Sequence, residues 1–181
     1  TLKVIADRET DRILGAQAIG EGPSDKFIDI LAMALHGKIT CRDLSNVDLA
    51  YAPPFSPVLS PVIVAANVLL NKREGKVKGI RASEVKEKLE RAKETIQVLD
   101  VREEEEVKRK RIPGSVWIPL GDLKKRIHEL DRSKETAVHC ESGLRSYKAC
   151  LRLQHAGIEN VKNVDGGMLC WCYDTESEEK K

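Results

Sequence analysis

A chain of 181 residues leaves room for one full domain or two small ones. Hydrophobic residues at 41% and charged residues at 33% place it among globular proteins, and 12 Gly with 7 Pro exclude collagen-like or low-complexity sequence. No run approaches the roughly 18 apolar residues of a membrane span, and a formal net charge of +2 argues against nucleic acid as a partner.

The mean charge conceals segregation. Residues 1–75 carry 8 Lys+Arg and 9 Asp+Glu, whereas residues 76–181 carry 23 and 20. The change coincides with the polar stretch Asn71-Lys72-Arg73-Glu74-Gly75-Lys76-Val77-Lys78-Gly79, so the sequence predicts two units, 1–72 and 80–173, joined by a linker over 73–79. The first residues, Thr1-Leu2-Lys3-Val4-Ile5, lack an initiator Met and any basic-then-apolar leader, and read as the continuation of a longer chain. The five cysteines, at 41, 140, 150, 170 and 172, do not form the even framework of a small secreted domain, which points to a reducing, cytoplasmic setting. Cys170-Trp171-Cys172 has one intervening residue and no nearby partner pair, so no metal site is expected and the two thiols are read as half-buried.

In chain order, Leu2-Lys3-Val4-Ile5-Ala6 and the run from Ile13 to Gly20 predict an antiparallel pair. Ser24 is placed to cap a helix with an apolar face at 27, 28, 30, 31, 34 and 35, ended by Gly37. Thr40-Cys41-Arg42-Asp43 has capping-box spacing and opens a short helical turn. Three prolines between 53 and 57 predict an extended segment through Tyr51-Ala52-Pro53-Pro54-Phe55-Ser56-Pro57. Ser60-Pro61 then starts a helix to Leu70 that is apolar nearly all round, the mark of a buried interface.

The order Ile-Leu-Gly-Ala-Gln, Leu-His-Gly, Thr-Cys-Arg-Asp-Leu, Ala-Tyr-Ala-Pro-Pro-Phe-Ser and Ala-Ala-Asn over residues 1–72 resembles the dimerisation domain of pyridine nucleotide-disulfide oxidoreductases, nearest the coenzyme A-disulfide reductase branch. The resemblance implies an α+β fold, a homodimer, and a role for Tyr51 reaching toward the partner subunit's active site; packing of a Pro-rich loop is the plainer alternative for that side chain. It also implies FAD, NAD(P)H and coenzyme A for a full-length parent. No Gly-x-Gly-x-x-Gly follows a strand here, so this chain alone is expected to bind no cofactor, its flavin domains being missing.

From Ile80 onward strands and helices alternate. Ser83 is read as the cap of a helix through Glu90, and residues 95–101 as a buried strand. The block Glu103 to Arg111, acid first and base last, reads as a short solvated helix pairing Glu104 with Lys108 and Glu105 with Arg109. Residues 112–120 are an extended loop and strand, and Asp122 opens the next helix. Thr136-Ala137-Val138-His139 is a strand that delivers Cys140 into Glu141-Ser142-Gly143-Leu144-Arg145, with a helix from Ser146. A cysteine between a strand end and a helix N-terminus meets loop amides and the helix dipole, both of which favour its thiolate, and Arg145 adds positive charge. His139 precedes it on a strand and should face the opposite way, and Cys150 falls among core positions of the helix.

The segments Leu99-Asp100-Val101-Arg102-Glu103, Ile112-Pro113-Gly114-Ser115, Ile118-Pro119-Leu120, Cys140-Glu141-Ser142-Gly143-Leu144-Arg145-Ser146 and Asp165-Gly166-Gly167 occur in the order of a rhodanese domain, which residues 80–173 resemble. The resemblance implies an α/β fold with a parallel sheet and helices on both faces, and a sulfurtransferase in which Cys140 carries a persulfide and Arg145 helps bind the donor. Glu141, Ser142, Gly143, Leu144 and Ser146 would line the sulfur site, while Asp100 and Arg102 match a structural motif. Phosphatases of this fold have one more loop residue, which disfavours phosphoester chemistry. Glu141 stands where a basic residue is common, so polysulfide or a thiol persulfide suits the loop better than thiosulfate, with a thiol as acceptor. The rival reading is a non-catalytic module for dimerisation and partner docking. Residues 174–181 read as a frayed polar tail.

Overall fold

The computed structural model describes residues 1–177 and divides into two compact units, Thr1–Lys76 and Val77–Lys181. In the first unit, β1 (Leu2–Ala6) and β2 (Ile13–Ala18) pair antiparallel with Leu2 opposite Ala18. Their turn is fixed by Asp7, whose Oδ1 accepts from the Thr10 amide and hydroxyl, both at 2.7 Å. α1 (Ser24–His36) buries Leu31 and Ala34. Ser24 is the first helical residue rather than the cap: Pro23 holds the cap position and the Ser24 hydroxyl turns back to the Gly20 carbonyl at 3.3 Å. α2 (Cys41–Ser45) carries the Thr40–Asp43 capping box, with Asp43 N donating to Thr40 Oγ1 at 3.1 Å and Thr40 N to Asp43 Oδ2 at 3.3 Å.

The proline-rich segment departs from the extended form expected of it. The amides of Phe55 and Ser56 both donate to the Ala52 carbonyl, at 2.9 and 3.1 Å, closing a turn over 53–55. Proline's fixed φ forbids the helix interior yet suits the early positions of a turn. α3 (Pro61–Arg73) starts as expected, Ser60 Oγ accepting from Val62 N at 3.3 Å, but runs three residues past Leu70. Val62, Ala66 and Leu70 face the core with Leu31 and Leu44, while Val64 and Val68 on the other side stay exposed.

The segment expected as a linker over 73–79 is shorter in the structure, because Arg73 belongs to α3 and Lys78 and Gly79 to β3 (Lys78–Ile80). β3 pairs parallel with the last strand through backbone hydrogen bonds that ignore its polar side chains. The second unit continues through α4 (Ala82–Arg91), β4 (Ile96–Asp100), α5 (Glu104–Arg109), β5 (Val116–Trp117), α6 (Leu123–Arg126), β6 (Glu135–His139), α7 (Leu144–His155) and β7 (Val161–Val164). All pairings in the five-stranded sheet are parallel, in the order β3-β7-β6-β4-β5. Side chains alternate faces along a strand. Leu99 and Val138 therefore enter one core with Leu123, Ala149, Cys150 and Leu153, while Val98 and Ala137 enter the other with Val85, Ile112 and Trp171. With both faces buried under helices, the sheet is the α/β architecture expected of it.

Two local expectations fail. Ser83 lies inside α4, and the helix is opened instead by Glu84 Oε2, which accepts from Arg81 N at 3.0 Å. The tail is docked over 174–177: Arg111 and Glu176 exchange backbone hydrogen bonds at 2.9 and 3.0 Å, their side chains pair at 2.9 Å, and Ser177 Oγ donates to the Lys108 carbonyl at 3.1 Å. A polar tail docks when the edge beside it offers free backbone groups and a guanidinium. Residues 178–181 lie outside the described residues. Among the described residues no helix is long and apolar enough to cross a membrane.

Candidate active site

Cys140 follows the last residue of β6, the middle strand of the sheet, so it stands where a parallel sheet's carboxyl ends open a crevice. The chain turns through Glu141 and Ser142 to Gly143, whose φ of 115° is open to glycine and strained for other residues, and enters α7 at Leu144. The helix thus starts two residues before Ser146, and Arg145 lies in its first turn.

This turn directs its donors at one atom. Gly143 N donates to Cys140 Sγ at 3.1 Å, and Ser146 Oγ lies 3.4 Å from the same sulfur. The Ser146 hydroxyl has one proton, and the Gly143 carbonyl at 3.1 Å competes for it. That carbonyl also accepts from Asn163 Nδ2 on β7 at 3.2 Å, which ties the turn to the neighbouring strand. Burial by itself would raise the Cys140 pKa, the residue being 1% exposed, but the Ser146 hydroxyl and the amides of Ser146, Gly143 and Ser142 outweigh it and bring the thiol below its ordinary value. Cys150, buried on α7, is pushed up to about 12 by desolvation that its own backbone amide does not offset, and Cys41 by burial to about 11.

The loop is also clamped from above. Met168 N donates to the Cys140 carbonyl at 2.9 Å and Leu169 N to the Glu141 carbonyl at 3.0 Å, from a 3₁₀ turn over Gly167–Cys170. Cys170 and Cys172 are exposed rather than half-buried. Among the described residues no group of three His, Cys, Asp or Glu side chains is arranged to hold a metal.

The arginines are engaged. Arg145 makes a two-pronged pair with Glu106 of α5, Nη1 to Oε2 and Nη2 to Oε1 at 2.6 Å each, so its charge is matched within the chain. The solvated reading of the 103–111 block therefore holds for Glu104, 2.6 Å from Lys108, and fails for Glu106; Arg109 Nε meets the Glu105 carbonyl instead of its carboxylate. Buried Arg102 pairs with Asp100 at 2.7 Å, donates to the Lys110 carbonyl at 2.6 Å and reaches Glu141 Oε2 at 3.4 Å. Arg102, Glu106, Arg109, Lys110, Glu141 and Leu169 line a cleft of about 440 Å³. His139, on the opposite sheet face with Asp100, is wholly buried; desolvation lowers its pKa to about 4 despite the nearby carboxylate, which makes it a neutral core group and not a base for Cys140.

Cys140, Glu141, Ser142, Gly143, Arg145 and Ser146 thus form one loop and helix end, with Leu144 exposed at its lip. Tyr51 lies in the first unit, 51% exposed, beside a cavity of about 410 Å³ that Phe27, Val47, Phe55, Val58 and Ile63 also line. Sequence reasoning missed Glu106, Asn163 and Gly167. Glu106 and Asn163 act across 39 and 20 residues, and Gly167 was visible as part of Asp165-Gly166-Gly167 with no sign of what it approaches.

Residues 81–174 match the family model of the rhodanese-like domain, and residues 1–62 that of the pyridine nucleotide-disulphide oxidoreductase dimerisation domain. A solved NAD-dependent persulfide reductase from A. fulgidus superposes with a TM-score of 0.84 at 45% identity, over 94% of this chain and 30% of that one. A sulfurtransferase of Allochromatium vinosum is 31% identical over 78 residues, 43% of this chain and 73% of that protein. An NAD(P)H sulfur oxidoreductase (CoA-dependent) of Pyrococcus abyssi is 47% identical over 68 residues, 38% of this chain, and the match spans only 15% of that enzyme's length. The parallel sheet, the cysteine turn and the match over residues 81–174 agree, and the chain belongs to the rhodanese-like family, with a dimerisation domain of the pyridine nucleotide-disulphide oxidoreductases at its N-terminal end.

Proposed function

We propose that Cys140 accepts one sulfur atom from a polysulfide, a thiol persulfide or thiosulfate, holds it as a persulfide and passes it to a thiol. The observation that carries this reading is the convergence of the Gly143 amide and the Ser146 hydroxyl on Cys140 Sγ at the head of α7. The thiolate attacks the donor's outer sulfur, the donor's S–S bond breaks, and the leaving thiolate or sulfite keeps the electron pair. An acceptor thiolate then attacks the outer sulfur and Cys140 leaves as thiolate. The loop amides stabilise the negative charge at each stage. Ser142, Gly143 and Ser146 serve as the sulfur cup, Glu141, Leu144 and Arg145 as its rim.

The relatives, among them a coenzyme A disulfide reductase of Staphylococcus aureus, support placing this step inside a coenzyme A-disulfide or persulfide reductase-like enzyme, and the unpaired cysteine pattern suits the reducing cytoplasm. In that setting residues 1–72 form the homodimer contact, Tyr51 faces the partner subunit's active site, and the sulfur is handed toward flavin domains outside this chain. The turn after β6 aims its Gly143 amide at Cys140 Sγ and does not fit a dinucleotide pyrophosphate, and in this reading FAD, NAD(P)H and coenzyme A are held by the remainder of the parent enzyme.

The test is mass spectrometry of the intact chain after incubation with polysulfide. One added sulfur atom, removable by cyanide, is expected on the native protein and not on Cys140→Ser. Equal gain by the variant would sink the reading and leave the docking module as the better account.

A further inference from the structure

The cup and the arginine beside it are in different electrostatic states. The cup aims its donors at one sulfur, whereas both Arg145 prongs are occupied by Glu106 at 2.6 Å. Glu106 is itself held in place: its Oε2 also accepts from Glu103 N at 3.1 Å, the cap of α5, so the carboxylate is aimed by its own helix. Such two-pronged pairs are shorter and stronger than single hydrogen bonds. The Arg145 hydrogen bonds hold Glu106 below the usual carboxylate range, so the pair is fully charged at neutral pH. Arg102, the next guanidinium along this rim, is likewise committed to Asp100 and the Lys110 carbonyl, with Glu141 at 3.4 Å.

We propose that Glu106 is the donor-selecting residue of this site: by occupying both prongs of Arg145 it disfavours donors that carry an oxyanion next to the scissile bond, whose oxygens call for a guanidinium, and leaves the amide cup open to donors made of sulfur alone or of a thiol persulfide, whose sulfur accepts hydrogen bonds only weakly. The inference rests on the sulfur-transfer reading and goes beyond it by assigning donor choice to a residue outside the cysteine loop. With thiosulfate, the sulfonate meets a guanidinium whose charge Glu106 already matches and whose two Nη prongs it already holds. With polysulfide or a thiol persulfide, the outer sulfur enters the cup while Arg145 and Glu106 stay paired. Glu106 acts through Arg145 and is a positioning residue.

Glu106→Gln suits the test, because a Gln oxygen still accepts the cap bond from Glu103 N while the charge is lost. In the intact chain the variant is expected to lower the KM for thiosulfate about tenfold relative to that for polysulfide, and Glu106→Asp, which keeps the charge, to stay near the native ratio. A change by the same factor for both donors, or no gain for thiosulfate, overturns the proposal. A second readout needs no sulfur transfer. Inorganic sulfate should protect Cys140 of Glu106→Gln from iodoacetamide at about a tenfold lower concentration than in the native chain. Absence of that shift overturns donor selection even if persulfide forms, and the shift without any persulfide overturns the sulfur-transfer reading alone.

Discussion

Gly167 shows how far a single position controls the site. A Cβ built there would lie 2.3 Å from the Cys140 carbonyl oxygen and 2.7 Å from that of Glu141, both backbone atoms that cannot swing aside, at a φ of +56°. Gly167→Ala must push the 3₁₀ turn off the loop and break the hydrogen bonds from Met168 and Leu169. The expected cost is about 2–4 kcal/mol in urea denaturation, together with at least about a tenfold slower persulfide formation at Cys140. Gly121→Ala, at a position with nothing within 4 Å, serves as the control and should change neither. The cysteine, its helix and the cup were legible in the sequence because they are contiguous. What Glu106 and Gly167 touch was not, because a carboxylate at helical spacing and a glycine before a turn look alike whether they face solvent or a backbone carbonyl from elsewhere in the chain.

At the scale of elements, hydrophobic periodicity located the helices and strands, and misjudged where some of them begin. Ser24 and Ser83 have the chemistry of a cap, but Pro23 and Arg81 occupy that position, and the serines fall inside the first turn. Caps are decided by the direction from which the chain arrives, which residue type does not encode. Charge acts between elements as well. Glu135, at the start of β6, is held by Lys88 of α4 at 2.7 Å and Lys162 of β7 at 2.6 Å, joining a helix and two strands below the sheet. Burial alone would raise its pKa, yet the hydrogen bonds from Lys162 and Lys88 bring it under the ordinary 4.5. A carboxyl depressed on folding stabilises the fold above its unfolded pKa and loses that contribution as pH falls through the folded value. Glu135→Gln should therefore cost about 1–3 kcal/mol at pH 7, leaving two ammonium groups unmatched. The difference from the native chain should shrink as the pH falls through the lowered folded value, where Glu135 itself takes up a proton. Urea midpoints at pH 7 and through an acid series check both halves. A constant difference would mean that lost packing, rather than the ion pair, sets the cost.

For the whole molecule, the uneven charge along the sequence corresponds to two units with differently built cores. The C-terminal unit buries two clusters, one on each face of its sheet. Such a unit has the burial of an independent domain. The N-terminal unit has a single cluster of eight buried apolar residues and leaves Phe55 80% and Val58 81% exposed, with Val64 and Val68 along the outer side of α3. An apolar face of that kind on so small a core gains its stability by being covered, and self-association is the covering that the dimerisation-domain match favours. Opening the chain in the turn over residues 74–77 should therefore give two fragments of different behaviour. Residues 77–181 should sediment as a monomer, unfold in one cooperative step and still take up sulfur at Cys140. Residues 1–76 should sediment as a dimer, and Val68→Asp, which introduces a charge on the exposed side of α3 without touching Leu70 or Ala66, should convert that dimer to a monomer with lower thermal stability. A monomeric 1–76 fragment indifferent to Val68→Asp would show that this face is covered by some other part of the full-length chain, and that the small core suffices alone.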